Sequence, residues 1–274
     1  NYLDPARTFK ELEYTDAEYA DEIEKIRRRF IPFLEICKEN KTAIRIGVNH
    51  GSLSDRIMCR YGNTPEGMVE SCMEFLRICV EQNFTDVVLS IKASNTTVMV
   101  QTVRLLVKQM DKENMSFPIH LGVTEAGEGE DGRIKSAVGI GALLGEGIGD
   151  TIRVSLSEAP EREIPVAVKL VEYAEESATK RAEAKAGIKD ETIYLEYNEE
   201  SLEDLQLKAA MDAGALLIDG FAKELIITNS NNSISKEQLT DTANAILQAA
   251  RIRFTKPEYI SCPGCGRTLY NLEE

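Results

Sequence analysis

The sequence predicts an alternating α/β fold built on a parallel sheet. Three observations carry that prediction. Four short apolar runs recur at spacings of roughly 30–40 residues, as βα units require. Helix-length segments with apolar positions every three to four residues separate them. The runs are too apolar for a sheet with one wet face, so helices must cover it. Four such units make half of a (β/α)8 barrel, that is, part of a TIM barrel, or a short doubly wound sheet. No GxGxxG opens a helix after the first run, which counts against a dinucleotide-binding version.

The elements follow in order. Residues 14–39 are charged and periodic, with Ile23, Ile26, Phe30, Phe33 and Leu34 on one side, and form an amphipathic helix. A strand over 43–48 comes next. Thr64 is a suitable N-cap with Pro65 at the first helical position, and Met68, Cys72, Phe75, Leu76 and Cys79 make that helix's apolar stripe. A strand over 86–91, a helix over 96–110 and a strand over 119–123 follow. The segment 132–145 is rich in glycine and alanine, so its helix must pack closely. A strand over 151–156 completes the set.

The prolines at 160 and 165 suggest a boundary, and the charged, alanine-rich helix over 172–187 suggests a solvated surface. A second α/β pattern then runs through a strand over 192–197, a helix over 202–213 and strands over 215–219 and 224–228. A helix over 236–250, capped by Ser235, and a strand over 252–254 end it. The domains so defined are 1–160, 161–258 and 259–274.

Composition narrows the function. The formal net charge of -14 argues against general nucleic-acid affinity. No apolar run approaches the roughly 20 residues that span a membrane, and no signal peptide is visible. Cys37, Cys59, Cys72 and Cys79 fall in or near apolar helical patterns, the usage of buried thiols in a reducing cytoplasm. The chain begins at Asn1 rather than Met, so a plastid destination behind an upstream transit peptide stays open beside the cytoplasm.

Burying an unpaired charge is costly, so cations inside strand-like runs need an anion, a carboxylate or water. Arg45 and Asn49 lie in the first run, Lys92 in the second, Glu125 ends the third, and Arg153, Ser155 and Ser157 lie in the fourth. Parallel α/β folds gather strand ends at one mouth, where these groups would meet a small, strongly anionic ligand. Arginine offers bidentate contacts to phosphate and lysine a compact charge. The plainer alternative gives each cation a carboxylate partner inside the fold. Glu125, shielded by apolar walls, would deliver a proton, or else pair with one of the cations. Lys92 could instead form a Schiff base, as in phosphate-binding barrel lyases and aldolases. His50 and His120 are expected in structural or hydrogen-bonding roles. Cys262 and Cys265 make a CPGC knuckle, a spacing that lets two thiolates bind one metal or one cluster face. Zinc-knuckle interaction modules, iron–sulfur sites and redox dithiols share it.

At these residues the chain resembles the 4-hydroxy-3-methylbut-2-enyl diphosphate synthases, iron–sulfur enzymes of the methylerythritol phosphate route to isoprenoids. The matching stretches are IRIGVNHGSL at 44–53, SIKAS at 90–94, HLGVTEAG at 120–127, KSAVGIGALLGEGIGDTIRVSLS at 135–157 and ISCPGCGRTL at 260–269. The resemblance implies a (β/α)8 barrel that binds 2-C-methyl-D-erythritol 2,4-cyclodiphosphate and a separate domain that carries a [4Fe–4S] cluster. It implies a two-electron reductive ring opening with loss of water, fed by ferredoxin or flavodoxin. Arg45, Asn49, Lys92, Arg153, Ser155 and Ser157 would then hold the diphosphate, Glu125 would be the acid, and Cys262 and Cys265 two cluster ligands. The region between the barrel and the knuckle resembles the middle domain of the plant-type, three-domain form, much shortened. The family's first four barrel strands, its third cysteine and its glutamate ligand have no counterpart here. The chain is therefore expected to be an internal piece that neither holds a stable cluster nor turns over alone, and to self-associate through open barrel edges.

Overall fold

The computed structural model describes residues 13–127 and 129–258. Helix α1 (Asp16–Glu39) leads into β1 (Ile44–Asn49), α2 (Asp55–Tyr61), α3 (Pro65–Glu81), β2 (Val87–Ala93), α4 (Thr96–Lys112), β3 (His120–Val123), α5 (Gly129–Leu144) and β4 (Thr151–Arg153). A 3-10 turn (Pro160–Arg162) precedes α6 (Glu163–Ala186), β5 (Thr192–Tyr197), α7 (Leu202–Ile218), β6 (Glu224–Asn229) and α8 (Lys236–Ala249). Strands β1 to β4 are neighbours in chain order, and β5 and β6 form a separate parallel pair. The described chain divides into two compact units, one of 13–93 and 101–120, the other of 94–100, 121–127 and 129–258.

In the first unit, Thr15 caps α1 in a reciprocal box with Glu18, and Thr64 with Pro65 opens α3 as the sequence predicts. β1 and β2 pair in parallel from Ile44 opposite Val87 to Asn49 opposite Lys92. Ile46 and Val48 turn one face of β1 into the core, where α3 contributes Met68, Cys72, Leu76 and Cys79. Burial pushes the Cys72 and Cys79 thiols up to about 12, so both are inert at neutral pH. Cys37 is buried as well, and Cys59 is half-buried.

Helix α2 is an addition to the predicted elements. Seven residues are too few for a periodicity signal, and it is tied down by polar bonds instead. Arg56 donates to Glu74 of α3 at 2.7 Å, and the Tyr19 hydroxyl donates to the same carboxylate at 2.5 Å. A second pair, nearer the surface, joins α3 to the end of α4: Arg77 donates to Glu113 at 2.9 and 2.8 Å. Those bonds pull the Glu113 carboxyl from 4.5 down to about 2. A carboxylate with a depressed folded pKa stabilises the fold above its unfolded value and loses that contribution as pH falls through the folded one. Glu113→Gln should therefore cost about 1 kcal/mol or less at pH 6, the pair being partly exposed. Urea melts should show the gap between variant and wild type shrinking between about pH 4.5 and pH 2.

The second unit is built on the small-residue helix. α5 is buried continuously from Ile134 to Leu143. A Cβ on Gly141 would stand 2.5 Å from Met211 Cγ, and one on Gly214 3.1 Å from Val138 Cα, so α5 and α7 meet at the closeness the composition demands. Pro165 sits in the first turn of α6, where its missing N–H costs nothing. Three expectations fail here for physical reasons. α6 is not a solvated helix: Val166, Leu170, Tyr173, Ser177, Arg181 and Ala184 bury one side. Arg181 donates to the carbonyls of Gly141, Ala142 and Met211 at 2.9, 3.0 and 3.1 Å, satisfying groups at the end of α5. The expected strand over 215–219 is instead the last turn of α7. A short apolar run cannot distinguish a buried strand from a buried helix by period. Nor is 252–254 a strand, because Ile252 N bonds back to Leu247 O at 2.9 Å as the chain turns off α8.

Asp212 on α7 is fully buried and accepts from Tyr173 at 2.8 Å and Tyr197 at 2.6 Å. Burial raises its pKa against those bonds.

Candidate functional site

Within the first unit the predicted residues fall on one sheet face. Side chains alternate along β1, so Arg45, Gly47 and Asn49 are exposed while Ile46 and Val48 are buried. Paired residues in a parallel ladder share a face, which puts Val88, Ser90 and Lys92 beside them. Asn49 and Lys92 are direct partners, and the ladder continues through His50 N to Lys92 O at 3.1 Å. Arg45 stands four residues earlier on that face, roughly 13 Å down the strand, so its long side chain must lie along the sheet to reach the same end. A Cβ on Gly47 would meet nothing within 4 Å, so the face is open there. A cleft of about 900 Å³ borders β1, with Arg45, Asn49 and Ser52 among its polar walls and Phe33, Ile36 and Phe75 among its apolar ones. Helix α2 begins immediately beyond this polar rim, at the buried Ser54 cap.

Within the second unit the predicted residues gather around the loop after β3. Glu125 adopts φ +53°, a conformation that costs a non-glycine residue roughly 1–2 kcal/mol. Its side chain is half-buried, while its neighbour Ala126 is buried. No ion pair among the described residues includes Glu125. Gly127, at φ +108°, closes the turn and accepts from Ser157 N at 3.0 Å, which brings the Glu125 loop against the end of the fourth run. Glu158 then accepts from Gly129 N at 2.8 Å and from Arg133 at 2.5 and 3.0 Å. The Arg133 guanidinium holds the Glu158 carboxyl below the usual carboxylate range.

β4 is shorter than the sequence predicts and ends at Arg153. Beyond it Leu156 N is taken by Glu163 at 3.0 Å and Ser157 N by Gly127, so neither extends the ladder. Ser155 and Ser157 therefore lie past the strand end, half-buried and exposed respectively. Arg153 is exposed, with Glu163 3.9 Å from its Nε. Cys262 and Cys265 lie outside the described residues. Among the described residues, no group of three or more His, Cys, Asp or Glu side chains is placed to hold a metal ion.

A protein-family model described as the GcpE TIM-barrel domain matches residues 19–168. The chain belongs to this family. Its relatives include the 4-hydroxy-3-methylbut-2-en-1-yl diphosphate synthase (flavodoxin) of Phocaeicola vulgatus, 44% identical over 421 residues, covering all of this chain and 68% of that protein. The flavodoxin enzyme of the same name from Bacteroides thetaiotaomicron is 45% identical over 421 residues, again covering the whole chain and 68% of the relative. The ferredoxin enzyme of a Synechococcus strain is 43% identical over 270 residues, covering 98% of this chain and 46% of that protein. The alignments to the first two run 147 positions beyond the 274 residues here (421 less 274), so those relatives carry residues that this chain lacks. The parallel strands β1 to β4 fall within the matched barrel domain, and no described helix is long and apolar enough to cross a membrane.

Proposed function

We propose that this GcpE-family chain acts in the reductive ring opening of 2-C-methyl-D-erythritol 2,4-cyclodiphosphate to 4-hydroxy-3-methylbut-2-enyl diphosphate, in isoprenoid biosynthesis. One observation carries the reading: Arg45, Asn49 and Lys92 share one strand face in a chain that aligns over its whole length with enzymes named for that product. Arg45 and Lys92 supply the positive charge a diphosphate requires, and Asn49 a neutral hydrogen bond. Arg153, Ser155 and Ser157 add contacts of the same two kinds. Glu125 gives a proton to the departing hydroxyl.

Cys262 and Cys265 fit an iron–sulfur cluster in their donor chemistry: two thiolates, two residues apart, with glycines whose N–H groups can approach sulfur. When bound, the cluster would pass electrons one at a time from flavodoxin or ferredoxin. The chain's own residues bind and orient the substrate and supply the proton. Among the described residues β1 is the edge of its sheet, and its unpaired backbone groups are where a second copy would add.

Titration calorimetry with the cyclic diphosphate tests the reading. Wild type should bind, and Lys92→Ala should bind roughly 10–100-fold more weakly, the worth of one charge-assisted bond. Equal affinities would remove Lys92 from the site. Borohydride trapping of a carbonyl substrate on Lys92 would favour a lyase instead, and zinc without sulfide in the metal analysis would favour a knuckle module.

A further inference from the structure

The turn after β3 has little of its own to fix its shape. Glu125, Gly127 and Gly129 stand at φ +53°, +108° and +56°, and glycine imposes no backbone angle by itself. The segment 154–158 after β4 is likewise neither helix nor strand. The backbone bond from Ser157 N to Gly127 O joins the two. A ring of side-chain bonds within the second unit then locks them. Gly129 N donates to Glu158 at 2.8 Å, and Arg133 donates to Gly129 O at 2.9 Å. Arg133 also donates to both Glu158 oxygens, at 2.5 and 3.0 Å. Both backbone groups of Gly129 are thus held by one bidentate ion pair.

Capping of α5 explains only part of this ring. A carboxylate near the first N–H groups of a helix is favourable, but Glu130 and Asp131 already stand in that first turn. Glu158 comes instead from 29 residues away, on the segment that carries Ser155 and Ser157. Leu156 docks at the same place, since a Cβ on Gly132 would stand 2.8 Å from its Cδ2. The Arg133 side chain is 14% exposed, and Glu203 of α7 accepts from its Nε at 3.2 Å. Lys169 of α6 in turn holds Glu203 at 2.7 Å. A guanidinium bonded at Nε and at both terminal nitrogens keeps one orientation, which the flexible ammonium of a lysine would not.

We propose that Arg133 and Glu158 are positioning residues for the ring opening: their ring with Gly129 holds the Glu125 loop in register with the segment of Ser155 and Ser157. Glu125 lies four residues before Gly129, and Ser157 lies next to Glu158. One ion pair therefore sets where the acid stands relative to the hydroxyls offered to the diphosphate. The proposal rests on Glu125 being the acid, but its first readout uses neither substrate nor cluster.

Hydrogen–deuterium exchange on the full chain, with Arg133→Met and the isosteric Glu158→Gln beside wild type, is the first test. In each variant, exchange at the Gly129 and Ser157 amides should rise about tenfold, the worth of one charge-assisted bond. The amides of 137–143 should keep their protection, and Glu203→Gln, which leaves the ring in place, should exchange as wild type. Unchanged exchange at Gly129 and Ser157 in both variants overturns the proposal. So does an equal rise throughout α5, which would make the ring a fold element only. The second test is kinetic, with the changes carried in a cluster-loaded protein of the relatives' full length. Arg133→Met should lower kcat about 10–100-fold, the cost of a misplaced reacting group, and raise KM only a few-fold. In a Glu125→Gln background the same change should lower kcat no further, because no acid is left to position. An undiminished loss of kcat in that background overturns the proposal while leaving Glu125 as the acid. An intact kcat in Glu125→Gln alone removes the acid from Glu125, and the ring's purpose with it, whatever the exchange rates.

Discussion

Glu125→Gln should lower turnover by about 10²–10⁴-fold, the usual worth of a positioned general acid, while changing affinity for the cyclic diphosphate only a few-fold. Glutamine matches the side chain in size and hydrogen bonding but has no acidic proton to give. The backbone supports the assignment. A residue held at φ +53° between β3 and the buried Ala126 keeps a costly conformation only when its surroundings impose it. The surroundings are visible: Gly127 is pinned by Ser157 N, and a Cβ on Gly132 would stand 2.6 Å from Gly127 O. The loop therefore cannot relax without moving α5. The decisive measurement is the split between kcat and KM with the change carried in a cluster-loaded protein of the relatives' full length, since this chain is not expected to turn over alone. A lower kcat with KM unchanged identifies proton delivery. A raised KM with kcat intact would show that Glu125 binds the substrate and that the proton comes from another group.

The sequence revealed the parts of this architecture that follow from period and end signals. Thr64-Pro65 opened a helix because its cap and its fixed φ are both local properties. The pairing of Asn49 with Lys92 was foreshadowed by their like positions at the ends of two similar apolar runs. What escaped depends on partners distant in sequence. The end of β4 is decided by Glu163 and Gly127, which compete for the amides of Leu156 and Ser157, and no feature of TIRVSLS announces that. The buried side of α6 was hidden by its charges. Arg181 was counted as a solvated group, whereas its guanidinium serves three carbonyls at the crossing of α5 and α7.

The candidate site was legible for a related reason, and incompletely so. A cation within an apolar strand run is conspicuous, which singled out Arg45, Lys92 and Arg153. Arg133 carries no such signal, since it stands among the charges of GEGEDGR and its role arises from partners at 158 and 203. Carboxylates were harder still. Glu125 stood out by following a strand, but Glu74, which organises the helix beyond the cleft rim, sits in a helix whose cysteines and methionines drew the attention.

Glu74→Ala should cost about 3–5 kcal/mol, the penalty for leaving one charge of a buried pair without its partner. The two side chains are 2% and 4% exposed for Arg56 and Glu74, so no solvent replaces the missing carboxylate. The Tyr19 hydroxyl loses its acceptor in the same step. For a chain of this size the melting temperature should fall by roughly 10 °C. The loss should also reach the site, because Arg56 stands two residues beyond Ser54 and four beyond Ser52, both of which line the cleft beside β1. Binding of the cyclic diphosphate should weaken in Glu74→Ala even well below its melting temperature. The double variant Arg56→Met with Glu74→Leu separates the two effects. It removes both charges, so stability should return to within about 1–2 kcal/mol of wild type. If affinity recovers with it, the pair matters by keeping α2 in place; if stability recovers and affinity does not, the guanidinium or the carboxylate itself shapes the rim. A cost below about 1 kcal/mol for Glu74→Ala would place the pair among solvent-screened surface bridges and contradict its burial.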